Sequence, residues 1–203
     1  IGGEDILVTM PDSDIGGRRA KLQVYEMTPP EWEQVLYLDA DTEVVAPIYQ
    51  YFDWVSDGWD LVICKDIAPN DCLGHIRAKI NHNEAADTLA AVGSWQTLQY
   101  NGGAWAFQRN ERTAAFFRRW IAEWERYVQR DQGALCRALH AAPLKVWLLG
   151  NEWNTFPRFQ PQQETAGLLH FPGAARRWEG QIIGRIDSEA AWAAVKRFEG
   201  KKR

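Results

Sequence analysis

Two carboxylates one residue apart, Asp39 and Asp41, directly follow the short apolar run Val35 to Leu38. That run has the length and the β-branched and aromatic content of a buried strand, and a strand ending in acid delivers its carboxylates to the sheet edge where α/β proteins bind ligands. In extended backbone residues i and i+2 point the same way, so both acids are expected to face one point. Two hard oxygen donors suit Mg2+ or Mn2+, particularly where a substrate phosphate completes the shell. The competing reading is a solvated turn, which Asp also favours. Asn101-Gly102-Gly103 is a second stretch of interest, because paired glycines permit either a simple bulge or a close approach of backbone to ligand.

The surrounding elements read as an α/β order. Ile6 to Met10 is a strand, followed by a helix from about Arg18 to Met27 that Pro29-Pro30 ends, then the acidic strand. Pro47 opens a short helix carrying Ile48, Tyr51, Phe52 and Val55, and Asp60 to Cys64 is the next strand. Residues 65 to 99 are read as a variable excursion, in which the polar run His82-Asn83-Glu84 has no evident buried face. Tyr100 to Phe107 is a strand, and Glu111 to Val128 is a helix that Asn110 can cap, with an apolar face of Ala114, Phe117, Trp120, Ile121, Trp124 and Val128. Asp131 to about His140 is a further helix with Asp131 placed as its N-cap. Leu144 to Leu148 is a strand, and Leu168 to Phe171 is a short apolar segment that delivers His170 into Pro172-Gly173. Ser188 caps a last helix, and the 179 to 203 region ends in the basic tail Lys201-Lys202-Arg203.

Length and composition bound the possibilities. At 203 residues and 46% apolar content the chain can bury one substantial core, and a single domain over 1–203 is expected. A net charge of -4 gives no reason to expect a nucleic-acid partner, although Arg18, Arg19, Arg176 and Arg177 are local groups that can meet a phosphate. Cys64, Cys72 and Cys136 lack metal spacing and are odd in number, which fits reduced thiols and a cytoplasmic setting. The sequence has neither a transmembrane run nor a signal segment at its start. Eleven tryptophans serve core packing or line a sugar or base site.

In order along the chain stand Asp39-Ala40-Asp41, Asn101-Gly102-Gly103, Asp131-Gln132, Trp153-Asn154 and the segment His170 to Trp178. Together they resemble the glycogenin-like and galactosyltransferase-like retaining glycosyltransferases, known as glycosyltransferase family 8 and its relatives. The resemblance runs from about Ile6 to Trp178 with 65 to 99 unaligned. It implies a GT-A fold, Rossmann-like and α/β, with a mixed, mostly parallel central sheet flanked by helices, and a nucleotide-diphosphate sugar as donor, a UDP-sugar first among them. It also implies that Asp39, Asp41 and His170 are the protein ligands of Mn2+ or Mg2+. Arg176 stands where the family has a phosphate-binding Lys, and keeps the charge with a different geometry. Arg177 departs from the family Pro, whereas Gly173 and Trp178 match. Asn101, Gly102, Gly103, Asp131 and Gln132 match positions that hold the donor sugar, and Lys21 resembles a basic residue near the nucleotide. Asp131 and Gln132 are the candidates nearest the chemistry, Asp131 either as helix cap or as the carboxylate at the sugar, or as both.

Retention proceeds either by a short-lived ion pair or through a covalent glycosyl-enzyme, for which Asp131 is the carboxylate to name. Family members begin with a further strand and helix ahead of the Ile6 to Met10 strand, so a trimmed or reduced protein with weakened donor binding is expected. Acceptor choice is assigned by position to 65 to 99 and to the 150 to 165 loop, with Trp95, Trp153 and Phe156. Two rivals remain at this level. A sugar- or sugar-nucleotide-binding protein, or an inactive fragment of such a transferase, would need no metal. A haloacid-dehalogenase-type phosphatase would use Asp39 as nucleophile, but Glu43 stands where its motif has Thr or Val.

Overall fold

The fold is described from a computed structural model, over residues 17–66, 73–75, 80–128, 130–157 and 165–171. The expected Ile6 to Met10 strand, the last helix, Cys72, Gly173, Arg176, Arg177 and Trp178 lie outside these residues.

Four strands form the central sheet: β1 (Gln34–Leu38), β3 (Leu61–Lys65), β4 (Tyr100–Gln108) and β5 (Val146–Leu149), in the order β1-β4-β3-β5. Strand β4 runs antiparallel to both of its neighbours and β3 pairs parallel with β5, so β1, β3 and β5 share one direction and β4 opposes them. This is the mixed sheet that the family resemblance implies. A second, two-stranded ribbon pairs β2 (Thr42–Val44) with β6 (Leu168–His170), antiparallel. Neither short strand is long enough to display an alternation in sequence, and β2 was not expected.

Strand alternation sorts the sheet residues onto two cores. On one face Leu61, Ile63, Trp105 and Phe107 meet Phe116, Phe117, Trp120 and Trp124 of α5 (Glu111–Glu125) and Ala134, Leu135 and Ala138 of α6 (Asp131–Ala141). On the other, Val62, Cys64, Ala104 and Ala106 pack on Tyr51 and Val55 of α3 (Gln50–Ser56) and on Leu149 and Leu168. Each large side chain so buried contributes about 1.5–3 kcal/mol. Most of the buried aromatics therefore serve the core rather than a sugar face.

Helix α5 starts as expected, with Asn110 accepting from the Thr113 amide in a reciprocal capping box. It ends at Glu125, however, and Val128 stands half-exposed with φ 50, off the apolar face assigned to it. The helix expected over 18 to 27 is two pieces, α1 (Gly17–Leu22) and α2 (Val24–Met27), because Gln23 leaves helical geometry. Helix α3 starts at Gln50, not at Pro47.

The excursion also holds a regular helix, α4 (His82–Val92), capped by Asn81 on the Glu84 amide and ended by Gly93 at φ 78. His82-Asn83-Glu84 does have a buried face. Glu84 is 1% exposed and its carboxylate faces Arg137 of α6.

Candidate active site

After β1 the chain turns instead of running on as extended strand. The amide and the hydroxyl of Thr42 both donate to the Asp39 carbonyl, at 3.1 and 2.8 Å, which closes a tight turn immediately after β1. The turn, not the strand pleat, brings the two carboxylates together. Strand β2 leaves that turn and pairs with β6 so that Thr42 sits opposite His170, and the Phe171 amide donates to the Asp41 carbonyl at 2.8 Å. His170 Nε2 thereby comes to 3.2 Å from Asp41 Oδ1 and 3.9 Å from Asp39 Oδ2. The three groups offer ligand atoms within 4.8 Å of one another.

The rear of this cluster is built from β4 and the segment before β6. His170 Nδ1 lies 2.9 Å from Asn154 Oδ1, Asn154 Nδ2 donates to Asn101 Oδ1 at 2.9 Å, and the Gly103 amide donates to the same oxygen at 2.8 Å. Phe156 covers the imidazole, with ring centroids 4.6 Å apart. The pairing of β3 with β4 shifts between Ile63 and Cys64, whose partners are Trp105 and Asn101, so Gly102 to Ala104 bulge at the site. Gly103 needs its small size and not a positive φ. A Cβ there would overlap His170 Cε1 and lie 2.9 Å from both Nδ1 and Asn101 Oδ1. At Gly102 a Cβ would meet Asp131 Oδ2 at 3.5 Å and Lys21 Nζ at 3.6 Å, which is ordinary contact.

Lys21 enters from α1. Its ammonium is 3.0 Å from Asp39 and 3.2 Å from Asp131, residues far apart in sequence, with the lysine side chain 10% exposed. Burial pushes the lysine pKa down, but Asp131 and Asp39 outweigh it and hold the pKa above the ordinary value, so the group is a cation. The Tyr37 hydroxyl donates to Asp39 Oδ1 at 2.7 Å, and burial, then the Asp39 charge, keep that phenol protonated.

Asp131 does not cap its helix. The N-cap of α6 is Arg130, which has no side-chain cap bond, and the Asp131 carboxylate turns instead to Lys21. Its neighbour Gln132 donates Nε2 to Asp66 Oδ2 at 2.6 Å, and Gln99 Nε2 donates to the same oxygen. The Gln132 Oε1 is thus turned away from Asp66. Asp66 belongs to this region and was not among the sequence candidates, and Asn154, noted in the sequence only within the pair Trp153-Asn154, had no role assigned to it. Asp66 follows β3 as Asp39 follows β1, a signal of the same kind.

The aromatics expected at an acceptor loop are largely committed to packing: Trp153 meets Tyr51 and Trp54 edge-on, and Phe156 is 5% exposed. Cys64 and Cys136 are buried free thiols whose pKa burial pushes up to about 12, which makes them inert. Among the described residues no helix is long and apolar enough to cross a membrane.

No protein-family model matches the sequence, and a search of curated proteins gives no match. Solved structures do resemble it. The WbbM bifunctional glycosyltransferase, in its apo form, aligns with a TM-score of 0.61 and 15% sequence identity over 92% of this chain, which spans 37% of that protein's chain. Mouse xyloside xylosyltransferase 1 aligns at a TM-score of 0.49 and 14% identity, over 77% of this chain and 64% of that one. The galactosyltransferase LgtC, solved with donor and acceptor sugar analogs, aligns at 0.49 and 15% identity, over 90% of this chain and 66% of its own. The sheet order together with the first of these likenesses identifies the chain as having a GT-A glycosyltransferase fold.

Proposed function

We propose that this chain is a metal-dependent glycosyltransferase, a single GT-A domain that moves a sugar with retention from a nucleotide-diphosphate donor, a UDP-sugar in the first instance, to a saccharide or other acceptor. The observation that carries the reading is the meeting of Asp39, Asp41 and His170 at one point. The donor chemistry fits a divalent ion. Two carboxylates supply hard oxygens, and the imidazole turns Nε2 towards them while Nδ1 is engaged by Asn154. In this reading Asp39, Asp41 and His170 hold Mn2+ or Mg2+, which when bound supplies positive charge to the oxygens of the departing diphosphate.

The chain's own groups do the rest. Lys21 is a fixed cation beside Asp39 and Asp131 and adds to the positive field at the phosphates, and Arg176, outside the described residues, is assigned to the same anion. Asp131 and Gln132 face the sugar. The salt bridge from Lys21 orients the Asp131 carboxylate and makes it a poorer nucleophile, which favours contact with sugar hydroxyls and the ion-pair route over covalent attack. Gly102 keeps the space before Asp131 open, and Asn101, whose oxygen is already engaged, has an amide nitrogen that bonds to none of the described residues and can serve the donor. The buried free thiols suit a reducing compartment, and a cytoplasmic setting belongs to this reading.

Titration calorimetry of UDP tests it. Binding is expected to require Mn2+, to disappear with a chelator, and to weaken more than about 100-fold in Asp39→Ala, since removing a ligand costs at least as much as removing its support. UDP binding of equal strength without the ion, or in Asp39→Ala, would show a nucleotide- or sugar-binding protein without a metal centre.

A further inference from the structure

The imidazole of His170 can point a lone pair at Asp39 and Asp41 only if its proton sits on Nδ1. We infer that Asn154 is a positioning residue that fixes this tautomer, through a relay of hydrogen-bond polarity that begins at the Gly103 backbone. The inference rests on the metal reading for its purpose and on geometry alone for its direction.

The relay leaves no freedom at any step. A backbone N–H can only donate, so the atom of Asn101 that faces the Gly103 amide at 2.8 Å is its oxygen. That same oxygen faces Asn154 at 2.9 Å, so the atom Asn154 presents there is its NH2 nitrogen. The Asn154 oxygen is therefore the atom 2.9 Å from His170 Nδ1, and an amide oxygen only accepts, which places the proton on Nδ1. Nε2 is then the ring nitrogen outside the relay, and it faces Asp41 at 3.2 Å.

Burial makes the relay strict. Asn154 is 1% exposed, His170 3% and Asn101 7%, so water cannot replace a mismatched partner, and reversing either amide would set two acceptors or two donors against each other. Neutral histidine in water prefers the proton on Nε2, the arrangement that would block an ion. The two asparagines work against that preference.

The test reads the tautomer itself. Long-range 1H–15N spectra of the metal-free protein are expected to show a proton on His170 Nδ1. In Asn154→Ala the signal is expected to move towards the Nε2-protonated form, with Mn2+ affinity falling about 10–100-fold. Asn101→Asp supplies an acceptor oxygen to both Gly103 and Asn154, so it is expected to keep the wild-type tautomer while weakening donor binding. An Nε2-protonated His170 in the wild type would overturn the inference, and so would an Asn154→Ala protein with unchanged tautomer and ion affinity. If the tautomer behaves as stated but neither protein binds Mn2+, the role of Asn154 stands and the metal reading of the site falls.

Discussion

Arg137→Met is expected to lower the unfolding free energy by about 3–5 kcal/mol, with a fall in Tm of roughly 10 °C for a chain of this length, both measurable by urea and thermal unfolding. Arg137 is 2% exposed and lies between α4, α5 and α6. Its Nε donates to Glu123 Oε2 at 2.9 Å, one terminal nitrogen donates to Thr88 Oγ1 at 2.6 Å and lies 3.4 Å from Glu84 Oε1, and the other donates to the Glu123 carbonyl at 3.0 Å. Methionine fills much of the volume but leaves the buried Glu84 without its cation, whereas Glu123 keeps Arg119 and Arg126. Glu84 has little to fall back on, because its Oε2 has no hydrogen-bond partner among the described residues. Burial already pushes the Glu84 pKa up against the pull of Arg137. A carboxyl that binds its proton more tightly folded than unfolded destabilises at pH above its folded pKa and ceases to do so as the pH falls through it. The deficit of Arg137→Met relative to wild type is therefore expected to narrow as pH drops from neutral, and Glu84→Gln in the same background to recover part of it. A loss below about 1 kcal/mol, the usual worth of an exposed pair, would mean the cluster is solvated.

Gly103→Ala is expected to abolish Mn2+ binding, by more than about 100-fold, in a protein that still folds. The added methyl would overlap His170 Cε1 and crowd Nδ1 and Asn101 Oδ1 at 2.9 Å, so the imidazole must leave its place. Overpacking of this kind costs about 1–3 kcal/mol, within what a domain of ordinary stability, about 5–15 kcal/mol, survives. Gly102→Ala is the control: its Cβ has room, so ion binding is expected to persist while the space before Asp131 and Lys21 narrows. Calorimetry or electron paramagnetic resonance of Mn2+ on both variants decides it, and equal affinity in the two would remove His170 from the site.

What the sequence made legible was whatever its own neighbours determine. The strand before Asp39 announced itself by a short apolar run ending in acid, and α5 by a capping asparagine and a buried stripe. Helix α4 carried its signals too, Asn81 with Glu84 three residues on and Gly93 at the end, but it hides a carboxylate and a threonine where an apolar stripe is expected, because its partner is an arginine. The extended reading of Asp39 to Asp41 and the helix-cap reading of Asp131 failed for related reasons. One is set by the side chain and amide of Thr42, the other by Lys21, which is 110 residues away from Asp131 in the chain. The polarity of the Asn101 and Asn154 amides depends on a contact between distant segments and has no local trace.

The ribbon of β2 and β6 joins the two halves of the ligand set with only three residue pairs, whereas β1 meets β4 over five. Short pairing of that kind opens at a lower free energy than a central sheet does. Asp39 and Asp41 stand at the end of β1, and His170 stands on β6 across the ribbon. An ion held by all three would act as a clasp on the ribbon, and its measured affinity would be the intrinsic affinity multiplied by the fraction of molecules already closed. Strengthening the pairing of Thr42, Glu43 and Val44 with His170, Leu169 and Leu168 would therefore tighten metal binding without altering a single ligand.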